Sequence, residues 1–131
     1  MRELVWIEER DALALHDRLL ALDGGAAGVR NVGLLQSALA RPQQLDAYGD
    51  APDTIDMASA YTVGIVRNPP FVDGNKRTGF VVGVLFLELN GHRFTASEED
   101  ATQAVLGLAA GTIDEASFGR WLRANVSASP R

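Results

Sequence analysis

The stretch FVVGVLFLEL, residues 80–89, is apolar on nearly every side of a helix. A surface helix keeps one face for water, so a segment like this needs neighbours all round it and belongs in the middle of a bundle. A buried strand is the competing reading, because several of these residues are β-branched. Strands are normally shorter, and Asn90–Gly91 makes a good helix stop with Gly91 at C′. The sequence predicts a central helix from about Gly74 to Asn90, with Asp73 as its N-cap.

The other segments supply the neighbours. Residues 8–22 place Leu13, Leu15, Leu19, Leu20 and Leu22 among alanines and charges, the pattern of an amphipathic helix, and Asp23–Gly24–Gly25 ends it. Asn31 caps a short helix, VGLLQSALA, that stops at Arg41–Pro42; Gln43 to Pro52 reads as a surface loop. Asp53 caps a third helix with Ile55, Ala58, Thr62 and Ile65 on one stripe, and Asn68–Pro69–Pro70 closes it. Ser97, followed by Glu98, Glu99 and Asp100, starts a helix that ends at Gly111. Thr112 and Glu115 form a capping box for the last helix, through Phe118, Trp121 and Leu122. His92–Phe94 adds a short extended piece. The expected fold is all-α, a single domain over residues 1–126 wrapped around the apolar helix, with a frayed tail at 127–131.

A chain of 131 residues, 47% of them apolar, has enough material for one packed core. It has no cysteine, which excludes disulfides, thiolate catalysis and thiolate zinc sites and suits a reducing compartment. The first residues lack a signal-peptide pattern, and no apolar run approaches the ~20 residues of a membrane span. The expectation is a cytoplasmic protein without membrane contact. The net charge of −5 speaks against direct nucleic-acid binding.

The segment entering the central helix is NPPFVDGNKRTG, residues 68–79. The first amides of a helix have no carbonyl partner, and the dipole puts partial positive charge there, so Gly74, Asn75 and Lys76 offer free donors to an anion. Gly74 lets a ligand approach the backbone. Asn75 adds an amide, Lys76 a point charge and Arg77 a planar fork suited to phosphate. Asp73 would repel a bare phosphate but could hold a magnesium ion bridging phosphate oxygens. Each residue also has a plainer role: Asp73 as a cap, Gly74 as a turn, Arg77 as a solvated charge. Together, ahead of a buried helix, they favour a site for a nucleotide polyphosphate with a metal ion. Lys76 is the single lysine in a chain with eleven arginines, which hints that an ammonium is wanted at that position.

This stretch resembles the Fic/Doc motif, His-Pro-Phe-x-Asp/Glu-Gly/Ala-Asn-Gly/Lys-Arg, at Pro70, Phe71, Asp73, Gly74, Asn75, Lys76 and Arg77. The upstream GGAAGVRNVGLLQSALARPQ is similar to the Doc branch of that family. The resemblance implies a compact all-α Fic/Doc bundle. Most Fic enzymes have Gly where this chain has Lys76, and they transfer AMP from ATP to a protein hydroxyl. The Doc branch has Lys there, binds the nucleotide the other way round, and transfers the γ-phosphate to a threonine of elongation factor Tu. Its members are toxins neutralised by a separate Phd-like antitoxin that folds on binding. No inhibitory Ser/Thr-x-x-x-Glu-Gly/Asn helix is present, so the resemblance implies that the block comes from outside the chain.

The family motif opens with a histidine general base two positions before the phenylalanine. Here that position is Pro69, which cannot accept a proton. His92 lies at the far end of the central helix, roughly 25 Å away at ~1.5 Å per residue. His16 cannot be placed from sequence and reads as a hydrogen-bonded structural residue. Asn68 is a negligible base, and Asp73 is committed to the metal in the family scheme. The chain reads as a Doc-like toxin that keeps its binding apparatus and lacks its base, whether by engineering, by selection or as a natural pseudoenzyme. An AMP-transferring Fic enzyme, a non-catalytic nucleotide or antitoxin binder, and a plain helical scaffold are the alternatives.

Overall fold

A computed structural model describes residues 3–128. It holds six helices: α1 (Glu9–Asp23), α2 (Val32–Tyr48), α3 (Thr54–Arg67), α4 (Asn75–Leu89), α5 (Glu98–Ala110) and α6 (Glu115–Ala124). Two three-residue strands, β1 (His92–Phe94) and β2 (Val126–Ala128), pair antiparallel with Phe94 opposite Val126. The fold is the expected compact helical bundle.

Two helices share its centre. Every residue of α3 from Met57 to Val66 is buried. The apolar α4 is a helix, as its length and stop predict, and it lies against α3 with Val82, Phe86 and Leu87 in the core. The approach is close because α4 presents glycine there. A methyl on Gly83 would come within 3.0 Å of the Ala58 carbonyl, and one on Gly79 within 3.0 Å of Val66 Cγ2. Thr62 secures the same face, its hydroxyl donating to the Gly79 carbonyl at 2.8 Å. Phe80 and Val81 of α4 face a groove toward α5.

Several caps fall where the sequence puts them. Asn31 Oδ1 accepts from Leu34 N–H, Ser97 from Asp100 N–H, and Asp53 and Asp56 close a capping box. Three boundaries differ. Helix α2 does not stop at Pro42 but runs on to Tyr48, so the expected loop from Gln43 is mostly helix. Proline costs a helix one hydrogen bond; here the buried Leu39 and Pro42 and the packed Leu45 offset the loss. The cap of α6 is Asp114, which accepts from Ser117 N–H at 2.8 Å, rather than Thr112. Thr112 is still wound onto the end of α5, its N–H donating to Gly107 C=O at 3.0 Å, while Glu115 pairs with Arg41. Ser127, expected in the frayed tail, pairs with Arg93 in the two-stranded sheet; residues 129–131 lie outside the described residues.

Candidate functional site

The loop between α3 and α4 is built by side chains that fold back on their own backbone. Asn75 Oδ1 accepts from Phe71 N–H at 2.9 Å, and Asn75 Nδ2 donates to Phe71 C=O at 3.0 Å. The amide oxygen and one of the two Nδ2 hydrogens are therefore used to close the turn, which leaves the second N–H as the donor a ligand could take. Gly74, not Asp73, is the N-cap of α4, in the left-handed region at φ 76°, where only glycine sits without strain. The first rung of the helix runs from Thr78 N–H to Gly74 C=O at 3.0 Å. The N–H groups of Asn75, Lys76 and Arg77 precede that rung and stay outside the ladder.

Asp73 sits one residue before the cap. Its Oδ1 accepts from Gly74 N–H at 2.8 Å and its Oδ2 from Ala26 N–H at 3.2 Å. These bonds, Ala26 first and Gly74 second, hold its carboxyl below the ordinary carboxylate range, and it is exposed and charged at neutral pH. One charged, accessible carboxylate beside free helix amides fits a magnesium ion that takes its remaining ligands from water and nucleotide phosphates. No cluster of three acidic or histidine side chains that could hold a metal by itself is present among the described residues.

His16 reaches this loop from α1. It is 2% exposed and lies flat on Phe71, with ring centroids 3.8 Å apart and planes 8° from parallel. Its Nε2 is 2.7 Å from the Asp73 carbonyl; a carbonyl only accepts, so Nε2 carries the proton and donates. His16 is thus a hydrogen-bonded structural residue, buried under the motif with its proton engaged.

The glycine-rich turn after α1 also belongs to the site. Arg30 N–H and Asn31 N–H both donate to Pro70 C=O, at 2.7 and 3.0 Å, and Val72 N–H donates to Gly28 C=O at 3.0 Å. Residues 28–31 therefore run antiparallel to the motif loop, with Val29 bridged to Phe71. The Arg30 guanidinium donates to the Pro69 carbonyl. Pro69 itself is half-buried and offers no side-chain acceptor. Asp23, the last residue of α1, holds Arg77 in an ion pair, Oδ2 to Nε 3.2 Å.

Lys76 and Arg77 are exposed at one end of the groove between α4 and α5. The groove encloses about 490 Å³ and is walled by Phe80, Val81, Phe94 and Val105. Glu98 also lines the groove, so its charged residues are two cations and one carboxylate; the two cations suit the anionic end of a ligand whose body lies on the apolar walls. A second depression of about 430 Å³ lies beside Arg41 and Tyr48, with Arg41 paired to Glu115 as Arg77 is to Asp23.

Sequence reasoning brought Pro69, Asp73, Gly74, Asn75, Lys76 and Arg77 together, and the structure keeps them on one loop and helix start. It missed Asp23, Ala26 and Arg30. One signal was available: a carboxylate at a helix C-terminus opposes the dipole and asks for a reason.

A buried helix pair, an αL-capped helix start and a groove with Lys76 and Arg77 in its lining define a compact helical fold. The chain belongs to the Fic/Doc family, whose model matches residues 6–87. It is 33% identical over 117 residues to a protein named Protein kinase doc from Escherichia phage P1, covering 89% of this chain and 92% of the relative. It is also 43% identical over 77 residues to Toxin Doc from Mycolicibacterium smegmatis, covering 56% of this chain and 57% of that protein. No helix among the described residues is long and apolar enough to cross a membrane.

Proposed function

We propose that this chain is a Doc-type toxin that binds Mg-ATP at the start of α4 and, with a base restored, transfers the γ-phosphate to a threonine of elongation factor Tu in the cytoplasm, blocking translation. The observation that carries the reading is the pairing of Lys76 and Arg77 with the free amides at the head of α4. The similarity to the phage P1 kinase along most of both chains supports it.

In this reading the helix-start amides and Arg77 bind phosphate oxygens, and Lys76 faces the charge that moves during transfer. Asp73 would hold magnesium, which when bound neutralises phosphate charge. The threonine oxygen attacks the γ-phosphorus, ADP leaves, and the hydroxyl proton must go to a base. At Pro69 there is none. His16 has its Nε2 proton committed to the Asp73 carbonyl and is buried beneath Phe71. The chain as it stands therefore binds nucleotide and transfers slowly. A Phd-like antitoxin is its proposed partner. Lys76 favours phosphate transfer over AMP transfer, while Pro69 favours the second reading, a pseudoenzyme that binds nucleotide or antitoxin.

Pro69→His tests the proposal. Labelled phosphate transfer from Mg-ATP to purified elongation factor Tu should rise by about 10²–10⁴-fold, the usual contribution of a placed general base, with growth arrest in a bacterial host. A repaired chain that binds Mg-ATP but stays inactive would hand the lead to the pseudoenzyme reading. Full activity with Pro69 in place would show that the base lies elsewhere.

A further inference from the structure

We infer that Asp23 is an internal competitor for the anion that Arg77 receives, so that the empty site is self-neutralised and fills only by breaking the Asp23–Arg77 pair. This rests on the reading of Arg77 as a phosphate ligand.

The pair joins the last residue of α1 to the first turn of α4, Oδ2 to Nε 3.2 Å, with both side chains about half exposed. A carboxylate and a phosphate seek the same donors of a guanidinium, so occupancy of the Nε edge by Asp23 blocks one of them from an incoming ligand. The location is costly for the helix. A carboxylate in the last turn faces the negative end of the dipole, and α1 has no basic residue there to offset it. Asp23 therefore gains little within its own helix and finds its partner across the site.

The backbone after it is fixed against the motif as well. Gly24 and Gly25 both have positive φ, and a methyl on Gly25 would come within 2.9 Å of Asp73 Oδ2. Ala26 N–H holds that same oxygen, and His16 holds the Asp73 carbonyl. The end of α1 and its turn thus engage two of the motif residues assigned to the ligand, Asp73 through hydrogen bonds and Arg77 through charge. Regulation expected only from outside the chain has a component inside it.

Binding isotherms for Mg-ATP, with adenosine as a probe that carries no phosphate, test the inference. Asp23→Asn removes the competitor and one negative charge beside the anion. Mg-ATP should bind about two- to fivefold more tightly, the range set by an exposed ion pair, and the gain should shrink in high salt. Adenosine affinity should not move. Asp23→Ser, which keeps no isosteric amide, should behave alike, and thermal unfolding should be unchanged or higher in both variants. Against Arg77→Ala alone, the Asp23→Asn/Arg77→Ala double variant should keep only the small, salt-sensitive part of the gain that comes from the lost negative charge. If Arg77→Ala weakens Mg-ATP binding while both Asp23 variants leave it unchanged or weaker, the competitor is wrong and the phosphate role of Arg77 stands. If Arg77→Ala leaves binding intact, the role of Arg77 fails and the competitor fails with it.

Discussion

Removing the amide of Asn75 separates two uses of that side chain. Free donation to phosphate predicts that Asn75→Ala costs ligand affinity alone. Two hydrogen bonds to Phe71, at 2.9 and 3.0 Å in a half-buried loop, predict that it costs stability first. Each such bond has a net worth of about 0.5–1.5 kcal/mol, so the loss is about 1–3 kcal/mol. Alanine is the better helix former and returns a few tenths of that. For a domain of this size roughly 4 °C of unfolding temperature goes with each kcal/mol, so a central value of about 2 kcal/mol lowers the midpoint by about 8 °C. Thermal unfolding followed by circular dichroism reads that shift, urea unfolding the free energy, and calorimetry with Mg-ATP under folding conditions the affinity. A variant that keeps its urea midpoint but loses Mg-ATP would refute the reasoning: Asn75 would then serve the ligand, and the loop would close without it.

Two further outcomes are expected. Lys76→Gly, placed on the Pro69→His background, should reduce phosphate transfer, and the mass of the modified target distinguishes phosphate from AMP; an AMP adduct from the chain that keeps Lys76 would overturn the kinase reading. Asp53 is held down to about 2 from 3.8, first by its hydrogen bond from Arg123, so its contribution is present above about pH 4 and fades as pH falls toward 2. Asp53→Asn preserves the helix cap and should flatten acid unfolding in that window, at a neutral-pH cost below about 1 kcal/mol because the pair is largely exposed; an unchanged acid profile would show that Arg123 contributes nothing there.

Local rules read well where local physics decides. The caps at Asn31, Asp53 and Ser97 and the stop at Gly111 depend on neighbours a few residues away, and the sequence displays all of them. Pro42 was misleading because its penalty is local while the burial that offsets it comes from the folded core. The motif residues were legible as a group, but their partners were not. Nothing in GGAAGVRN says that its backbone will run antiparallel to the motif loop, since that pairing joins segments about forty residues apart. Sequence shows the donors of Asn75 but not the Phe71 backbone that takes one of them. Asp73 looked like a cap because it precedes a helix; the left-handed Gly74 displaced it by one position.

The glycine contact between α3 and α4 makes the two sides of the site mechanically unequal. With Gly79 and Gly83 allowing direct contact with α3, α4 has no slack to tilt or slide without colliding with Ala58 or Val66. The opposite side, from Asp23 to Asn31, is held by hydrogen bonds from Arg30 and Asn31 to Pro70, from Val72 to Gly28 and from Ala26 to Asp73, and by one exposed ion pair, rather than by helix-on-helix packing. In the proposed nucleotide-binding role the fold would act as a clamp, with α4 as the fixed jaw and the turn from Asp23 to Asn31 as the jaw that sequence changes can alter without disturbing the core.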